Sequence, residues 1–465
     1  MTKYKLTIMP QGISVFAPAG SNLLDVLREN GILVNAVCGG NGSCGKCGIT
    51  IGGEEKLACA THLDRDTVIT LPSCEKRDVA AHEGFALAFD IGTTGVAGYL
   101  IGMSGVVSAA SVLNPQVSYG ADVVSRIQAA AKGKLRAQTE LIRGCLNKLA
   151  LSLCKNPSDI RVVSVVGNPA MQQIFFGMPV DNLIDIPYAP VIRSALVSDA
   201  AEYIPCLENA ELRTMPDPSA YVGADTVACV LAEGIAQTDK LTLLVDIGTN
   251  GEIVLGCGDR LLCCSTAAGP ALEGAGISCG MRGEAGAVDR VLWEDGALRC
   301  HVIGETAARG ICGSGLVDAV AALLDAKLID RRGKLNSGSC ELCPGVVLTQ
   351  DDVRAFQLAK GAIAAGVQVL MQEYGACADD IDTVLLAGAF GSAIDPVSAC
   401  RTGLLPNCLL PKIRAVGNAA GKGAILLAQS EKYLEASEKT VRCMRNVELA
   451  DTPAFRRLFA KNMYF

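Results

Sequence analysis

Two segments of the 465-residue chain, AFDIGTTGVAGYL at 88–100 and LVDIGTNGEIVLG at 244–256, share a pattern that restricts the fold more than any other feature of the sequence. Each reads as an apolar strand, an Asp-Ile-Gly-Thr turn, a second glycine and a returning strand. Asp90 and Asp246 stand 156 residues apart, and a repeat of that period is a duplicated domain and not a solenoid. Residues 85–240 and 241–465 are therefore expected to form two related α/β lobes. Four more segments repeat the order strand, glycine turn, helix: VVSVVGNPAMQQIFFG (162–177), GICGSGLVDAVAALL (310–324), DTVLLAGAFGSAIDP (382–396) and AVGNAAGKGAILLAQ (415–429). Pro169 suits the first position of its helix.

The chemistry of the repeat follows from its residue types. A carboxylate at a strand end, followed by a hairpin of glycine and threonine N–H groups, suits phosphate oxygens and a Mg²⁺ ion with its waters. A single DIGT also reads as a plain β-turn; two in register, facing across a cleft, point to a clamp on one polyphosphate. Asp90 and Asp246 are the candidate catalytic carboxylates. Gly388 and Gly391 in the GAFG turn let a flat base or ribose approach the backbone. Gly269 and Glu273 in AAGPALEG either complete the nucleotide wall or form a packing turn. Gly313-Ser314-Gly315 ahead of a helix offers a phosphate site or close helix packing. GxxxxGK[ST] is absent from the sequence, so this is not a P-loop.

The N-terminal part is of another kind. KYKLTIM and ISVFA read as a strand hairpin around Pro10-Gln11-Gly12, followed by a helix, NLLDVLREN, capped by Ser21 and ended by Gly31. Strands at Cys47–Ile51 and Thr67–Leu71 complete a small β-grasp domain over residues 1–80. Within it Cys38, Cys44, Cys47 and Cys59 are spaced C-x5-C-x2-C-x11-C, close to the spacing of plant-type 2Fe–2S ferredoxins. Three thiolates must bend around one end of a cluster, and Gly39, Gly40, Gly42, Gly45 and Gly48 allow that loop to aim N–H groups at sulfur. Zinc or unligated thiols are the alternatives, and Cys74 is the reserve for the fourth ligand. Cys340 and Cys343 read as half a zinc knuckle, a redox pair or plain structural thiols. Vicinal Cys263 and Cys264 and most of the others read as small buried hydrophobes.

Composition narrows the class. Twenty-one cysteines, an odd number without a secretory signal, argue against a disulfide framework. A net charge of −7 without basic runs disfavours nucleic acid and anionic membranes as partners. No apolar run approaches the ~18 residues of a membrane span, so a cytoplasmic protein is expected. Only 4% of residues are aromatic while half are apolar, so the interior is expected to be built of Ala, Val, Leu and Ile.

Together, CGGNGSCGKC…LACAT, DIGTTG, DIGTNGE, AAGPALEGAGISCGM, GICGSGLVDA and LLAGAFGSAIDP resemble the reductive activators of corrinoid proteins, iron–sulfur ATPases of the ASKHA superfamily, over nearly the whole chain. The resemblance implies a ferredoxin-like domain fused to a duplicated actin-like, RNase H-like ATPase. It implies ATP-dependent transfer of one electron to an inactive Co(II) corrinoid on a partner protein of a methyltransferase system, restoring Co(I), with an upstream low-potential reductant. Cys38, Cys44, Cys47 and Cys59 would then hold the cluster. Asp90, Gly92, Thr93 and Thr94 would form the first phosphate motif, Asp246, Gly248, Thr249 and Asn250 the second, and Gly388 and Gly391 the adenosine motif. C-terminal helices returning to the first lobe and a homodimer are further expectations. Only 30 residues separate Cys59 from Asp90, which makes this a compact version. Electron delivery to another metalloenzyme and a redox-sensing actin-like scaffold are the alternative readings. Segment 274–288, with Ser278, is the candidate partner-facing loop.

Overall fold

A computed structural model of the chain describes residues 3–9, 13–29, 47–70, 85–186, 188–450 and 452–465. In the N-terminal domain, β1 (Lys3–Met9), β2 (Ile13–Pro18), β3 (Gly48–Ile51), β4 (Glu54–Leu57) and β5 (Thr67–Thr70) form one sheet in the order β2-β1-β5-β3-β4. The central β1 and β5 run parallel, with an antiparallel neighbour on each side. Alternation drives Leu6, Ile8, Ile49 and Ile69 to one face, where Leu23, Leu24 and Leu27 of α1 (Leu23–Glu29) close the core. The helix is capped one residue later than expected: Asn22 Oδ1, not Ser21, accepts the Leu24 N–H at 3.0 Å.

The remainder is two lobes of one topology. In lobe I, β6 (Phe85–Ile91), β7 (Gly95–Gly102) and β8 (Gly105–Leu113) make an antiparallel meander. Then β9 (Ile160–Gly167), β10 (Leu196–Asp199) and β11 (Glu211–Thr214) complete the order β10-β11-β9-β6-β7-β8. In lobe II, β12 (Thr242–Ile247), β13 (Gly251–Cys257) and β14 (Arg260–Thr266) repeat the meander. An insertion follows, carrying β15 (Ala287–Glu294), β16 (Ala297–Val302), β17 (Gly310–Ile311), β18 (Ser339–Cys343) and β19 (Val346–Thr349). The parallel β20 (Thr383–Ala387) and β21 (Ile413–Gly417) then extend the sheet beside β12, and β22 (Met444–Asn446) closes its other edge. In both lobes the DIGT aspartate is the last residue but one of the first meander strand, which is paired in parallel on its other side, to β9 or β20.

Helices α2 (Val123–Ala129), α3 (Leu135–Leu153) and α4 (Pro169–Phe176) cover the outer face of lobe I. Asn168 caps α4, Pro169 occupies its first turn, and Gly177 ends it in the left-handed region. Helices α6 (Gly313–Asp325) and α7 (Gln350–Tyr374) cover lobe II, and α7 starts on a Thr349/Asp352 capping box.

Between the two sheets lie α5 (Ala224–Ala232) and, after the short α8 (Gly388–Gly391) and α9 (Pro396–Arg401), α10 (Ala419–Gln429). Helix α5 turns Val227, Ala228 and Leu231 toward lobe I, and Cys229 and Val230 toward lobe II. Helix α10 does the same with Ala424, Leu427 and Ala428 on one side and Ala419 and Ala420 on the other. Small side chains let both helices fit between the sheets, where the lobe I side of the layer also buries Tyr99 and Tyr433. This layer sets the two DIGT hairpins opposite each other.

Candidate functional site: a two-lobed cleft and a cysteine pair

The turn after β6 carries Gly92, Thr93 and Thr94, and three buried side chains hold it from behind. Asn114 donates to the Gly92 carbonyl at 2.9 Å, Arg126 donates to the Thr93 carbonyl at 2.6 Å, and Asn168 donates to Thr93 Oγ1 at 3.1 Å. Burial lowers the Arg126 pKa to about 10, partly offset by Asp122. Thr93 thus faces the protein, and Thr94 faces the opposite lobe. There Thr94 Oγ1 and Thr249 Oγ1 come within 3.4 Å, and each donates to Glu273 Oε2, at 2.7 and 2.9 Å. Both hairpins therefore aim a hydroxyl at one point.

Beneath that point lie the carboxylates. Asp90, Asp225 and Asp246 are largely surrounded by protein, each only partly accessible. Desolvation raises the pKa of Asp90 to about 6, against the lowering effect of the Asn418 hydrogen bond. It raises Asp225 and Asp246 to about 7, with Asp90 adding to both by like-charge repulsion. Glu252, cross-strand from Asp246, is also pushed up by burial and by Asp225 and Asp246. Cys229 Sγ sits 3.7 Å from Asp246 Oδ2 and is held as a thiol by the same surroundings. Carboxylates so arranged resist simultaneous ionisation, and a divalent cation relieves the repulsion.

Gly388 begins α8 with φ +81°, and a Cβ there would stand 2.5 Å from Asp246 Oδ1. Any side chain would collide with the carboxylate, so this glycine keeps Asp246 in place from below. Gly391 sits against Leu386 of its own lobe, and Asn250 closes the second turn by accepting the Gly248 N–H at 2.9 Å. Gly269, at φ +76°, opens the short turn Pro270–Glu273. Ser278 is engaged: its hydroxyl lies 3.1 Å from both Thr349 Oγ1 and Asp352 Oδ1.

Sequence reasoning missed Asp225, Asn418, Arg126, Asn114 and Asn168. Asn418 stands inside the AVGNAAGKG segment already singled out, and a polar residue between a strand and a helix was the available signal.

In the N-terminal domain Cys47 is buried and Cys59 half-buried, their sulfurs 3.1 Å apart, with the Cys59 N–H on Cys47 Sγ at 3.4 Å. Two thiols converging beside a backbone donor fit a cluster's terminal ligands. Cys38, Cys44 and Cys74 lie outside the described residues. In the lobe II insertion the Cys300 thiol donates to the Leu342 carbonyl at 3.4 Å, and burial, followed by the neighbouring Cys343 and Cys340, raises Cys300 to about 12. Among the described residues no group of three or more ligating side chains is arranged to hold a metal, and no helix is long and apolar enough to cross a membrane.

The duplicated sheets, the helix pair between them and the cleft define an ASKHA-type protein, here fused to a ferredoxin-like β-grasp domain. Comparison with known proteins agrees. Residues 6–75 match the 2Fe–2S iron–sulfur cluster binding domain, residues 85–238 the RACo middle region, and residues 240–465 the C-terminal ASKHA domain of RACo. The corrinoid activation enzyme RamQ of Eubacterium limosum is 35% identical over 432 residues, covering 85% of this chain and 72% of that protein. The Co(II) methylated amine-specific corrinoid protein reductase of Methanosarcina barkeri is 30% identical over 372 residues, covering 72% and 68%. A solved reductive activator for a corrinoid, iron–sulfur protein superposes with a TM-score of 0.77 at 26% identity, covering 99% of this chain and 98% of its own. The chain belongs to the RACo family of corrinoid reductive activators.

Proposed function

We propose that the protein uses ATP to deliver one electron from a 2Fe–2S cluster to an inactive Co(II) corrinoid carried by a partner protein, regenerating Co(I). One combination carries this reading: a converging thiol pair, Cys47 and Cys59, and a cleft where hydroxyls from two lobes meet, Thr94 and Thr249, in a single chain. Relatives named as a corrinoid activation enzyme and as a Co(II) corrinoid protein reductase support it. The working units are 1–80, 85–240 and 241–465.

Cys38, Cys44, Cys47 and Cys59 hold the cluster, which when bound supplies a one-electron carrier filled by an upstream low-potential reductant. Asp90 and Asp246 would organise Mg²⁺ and water in the cleft, with Asp225 adding negative charge beside them. Thr94 and Thr249 donate to phosphate oxygens, while Arg126, Asn114 and Asn168 hold the backbone of the first hairpin and Thr93 in place. Gly388 and Gly391 line the approach for adenosine. The partner is a cytoplasmic corrinoid protein of a methyltransferase system.

The test mixes reduced protein, Mg-ATP and a cobalamin-loaded corrinoid protein anaerobically and follows the Co(I) absorption band. Cobalt reduction with ATP, lost without it and lost in Asp246→Ala, is the expected result. Equal reduction with and without nucleotide refutes the reading.

A further inference from the structure

Glu273 ends the turn Pro270–Glu273, which follows β14 and lies between two glycines of positive φ, Gly269 (+76°) and Gly274 (+74°). Its Oε2 accepts from Thr94 and Thr249 at 2.7 and 2.9 Å, one hydroxyl from each lobe. Its Oε1 lies over the second hairpin, 3.5 Å from where a Gly248 Cβ would stand. One carboxylate thus occupies the point where both phosphate hairpins converge. An anionic oxygen between two hydroxyl donors is the arrangement a terminal phosphate oxygen would take. Two anions do not share those donors, because each hydroxyl has one proton to give and the charges repel.

We propose that Glu273 is a built-in competitor for the terminal phosphate of the nucleotide, displaced when a triphosphate binds. The proposal rests on the reading of the cleft as a nucleotide site and adds how occupancy of that site is sensed. Displacement has a defined path outward. Gly274 touches the next stretch of chain directly: a Cβ there would stand 2.1 Å from the Met281 carbonyl oxygen. In that stretch Ser278 N–H and hydroxyl meet Asp352 Oδ1 at 2.7 and 3.1 Å, and Asp352 caps the 25-residue α7. The proposal therefore extends to the 274–281 segment and its anchor on α7: movement of Glu273 away from the threonines is transmitted through Gly274 to that surface outside the cleft. The proposal places the terminal phosphate at the threonine pair, so a diphosphate would leave Glu273 in place.

The test measures binding of a Mg-bound non-hydrolysable ATP analogue and of Mg-ADP by calorimetry, with hydrogen exchange over 274–281, for wild type, Glu273→Gln and Glu273→Ala. Both variants are expected to bind the triphosphate more tightly, Glu273→Ala by at least ~10-fold, equivalent to about 1.4 kcal/mol, with little change for ADP. In wild type the triphosphate, and not ADP, raises exchange in 274–281; in Glu273→Ala exchange is already raised without nucleotide. Equal or weaker triphosphate binding in Glu273→Ala overturns the proposal, because it makes Glu273 a bystander or part of the nucleotide wall. Failure of wild type to bind any nucleotide removes the reading of the cleft itself. The isosteric Glu273→Gln keeps the turn's shape and so separates loss of charge from loss of fold.

Discussion

The side-chain amide of Asn418 donates to Asp90 Oδ2 at 2.7 Å, tying the turn before α10 to the first DIGT hairpin 328 residues earlier. The same amide reaches the Tyr99 hydroxyl at 3.2 Å, and Asn418 Oδ1 accepts the Gly421 N–H at 2.7 Å, capping α10. One side chain therefore starts the helix between the lobes and steadies the lobe I carboxylate. Replacing it by alanine removes a helix cap, at a cost of about 1 kcal/mol, and removes the donor that lowers the Asp90 pKa. Asn418→Ala is expected to lower the melting temperature and to move the acid limb of Mg-nucleotide binding to higher pH. A binding profile against pH that matches wild type would remove Asn418 from the site.

Stability should depend on pH in a direction set by these carboxylates. Asp90 titrates at about 6 and Asp246 at about 7 in the folded chain, against 3.8 ordinarily. Below pH about 4 both folded and unfolded forms are protonated and the burial of neutral acids costs little. As pH rises toward 7 the unfolded chain releases these protons first, so this contribution to stability is lost as pH passes through the folded values. Without added metal, the melting temperature should fall between pH 5 and 8 through these groups, and Asp246→Asn should flatten the fall. Mg-nucleotide should stabilise more at pH 8 than at pH 5. Scanning fluorimetry across that range reads all three.

What the sequence revealed about this cleft was what depends on local order. Asp90, Thr94, Asp246 and Thr249 are legible because a strand, a glycine turn and a returning strand place them by chain geometry alone. Adjacent threonines were not distinguishable: Thr93 turns to Asn168 while Thr94 turns to Thr249, and only the packing behind the hairpin decides which. Asp225, Arg126 and Asn418 reach the cleft by tertiary packing of three separate helices or turns, which no spacing encodes. The N-terminal helix shows the same limit on a smaller scale, since Ser21 and Asn22 are both good caps and the backbone entering α1 selects Asn22.

Cluster ligation can be tested at the fourth position. Cys47 and Cys59 already meet at 3.1 Å, so Cys59→Ser should distort or destroy the visible and EPR signals of a cluster with a potential of about −400 mV. Cys74→Ser should leave both signals in place. The reverse outcome would move the fourth ligand to Cys74. In either variant Mg-nucleotide binding should persist, because Thr94 and Thr249 belong to the other domains.

The last prediction concerns coupling between nucleotide and partner. For one electron each ~59 mV uphill is a tenfold unfavourable ratio, about 1.4 kcal/mol, so a cluster near −400 mV cannot by itself populate a product of much lower potential. Nucleotide helps only through unequal affinity for two states, since a ligand that binds both equally shifts nothing. Linkage then makes the effect reciprocal: if Mg-triphosphate tightens docking of the Co(II) corrinoid protein by some factor, that protein must tighten the triphosphate by the same factor. Calorimetric titrations of each ligand in the presence and absence of the other should give matching factors of at least ~5-fold, with Mg-ADP giving less. Thr249→Val, which removes a donor from the point where the lobes meet while leaving the N-terminal domain intact, should pull both factors toward one. Affinities unaffected by the second ligand would mean that the cleft does not drive the electron, and the ATPase and the ferredoxin-like domain would then act independently despite sharing one chain.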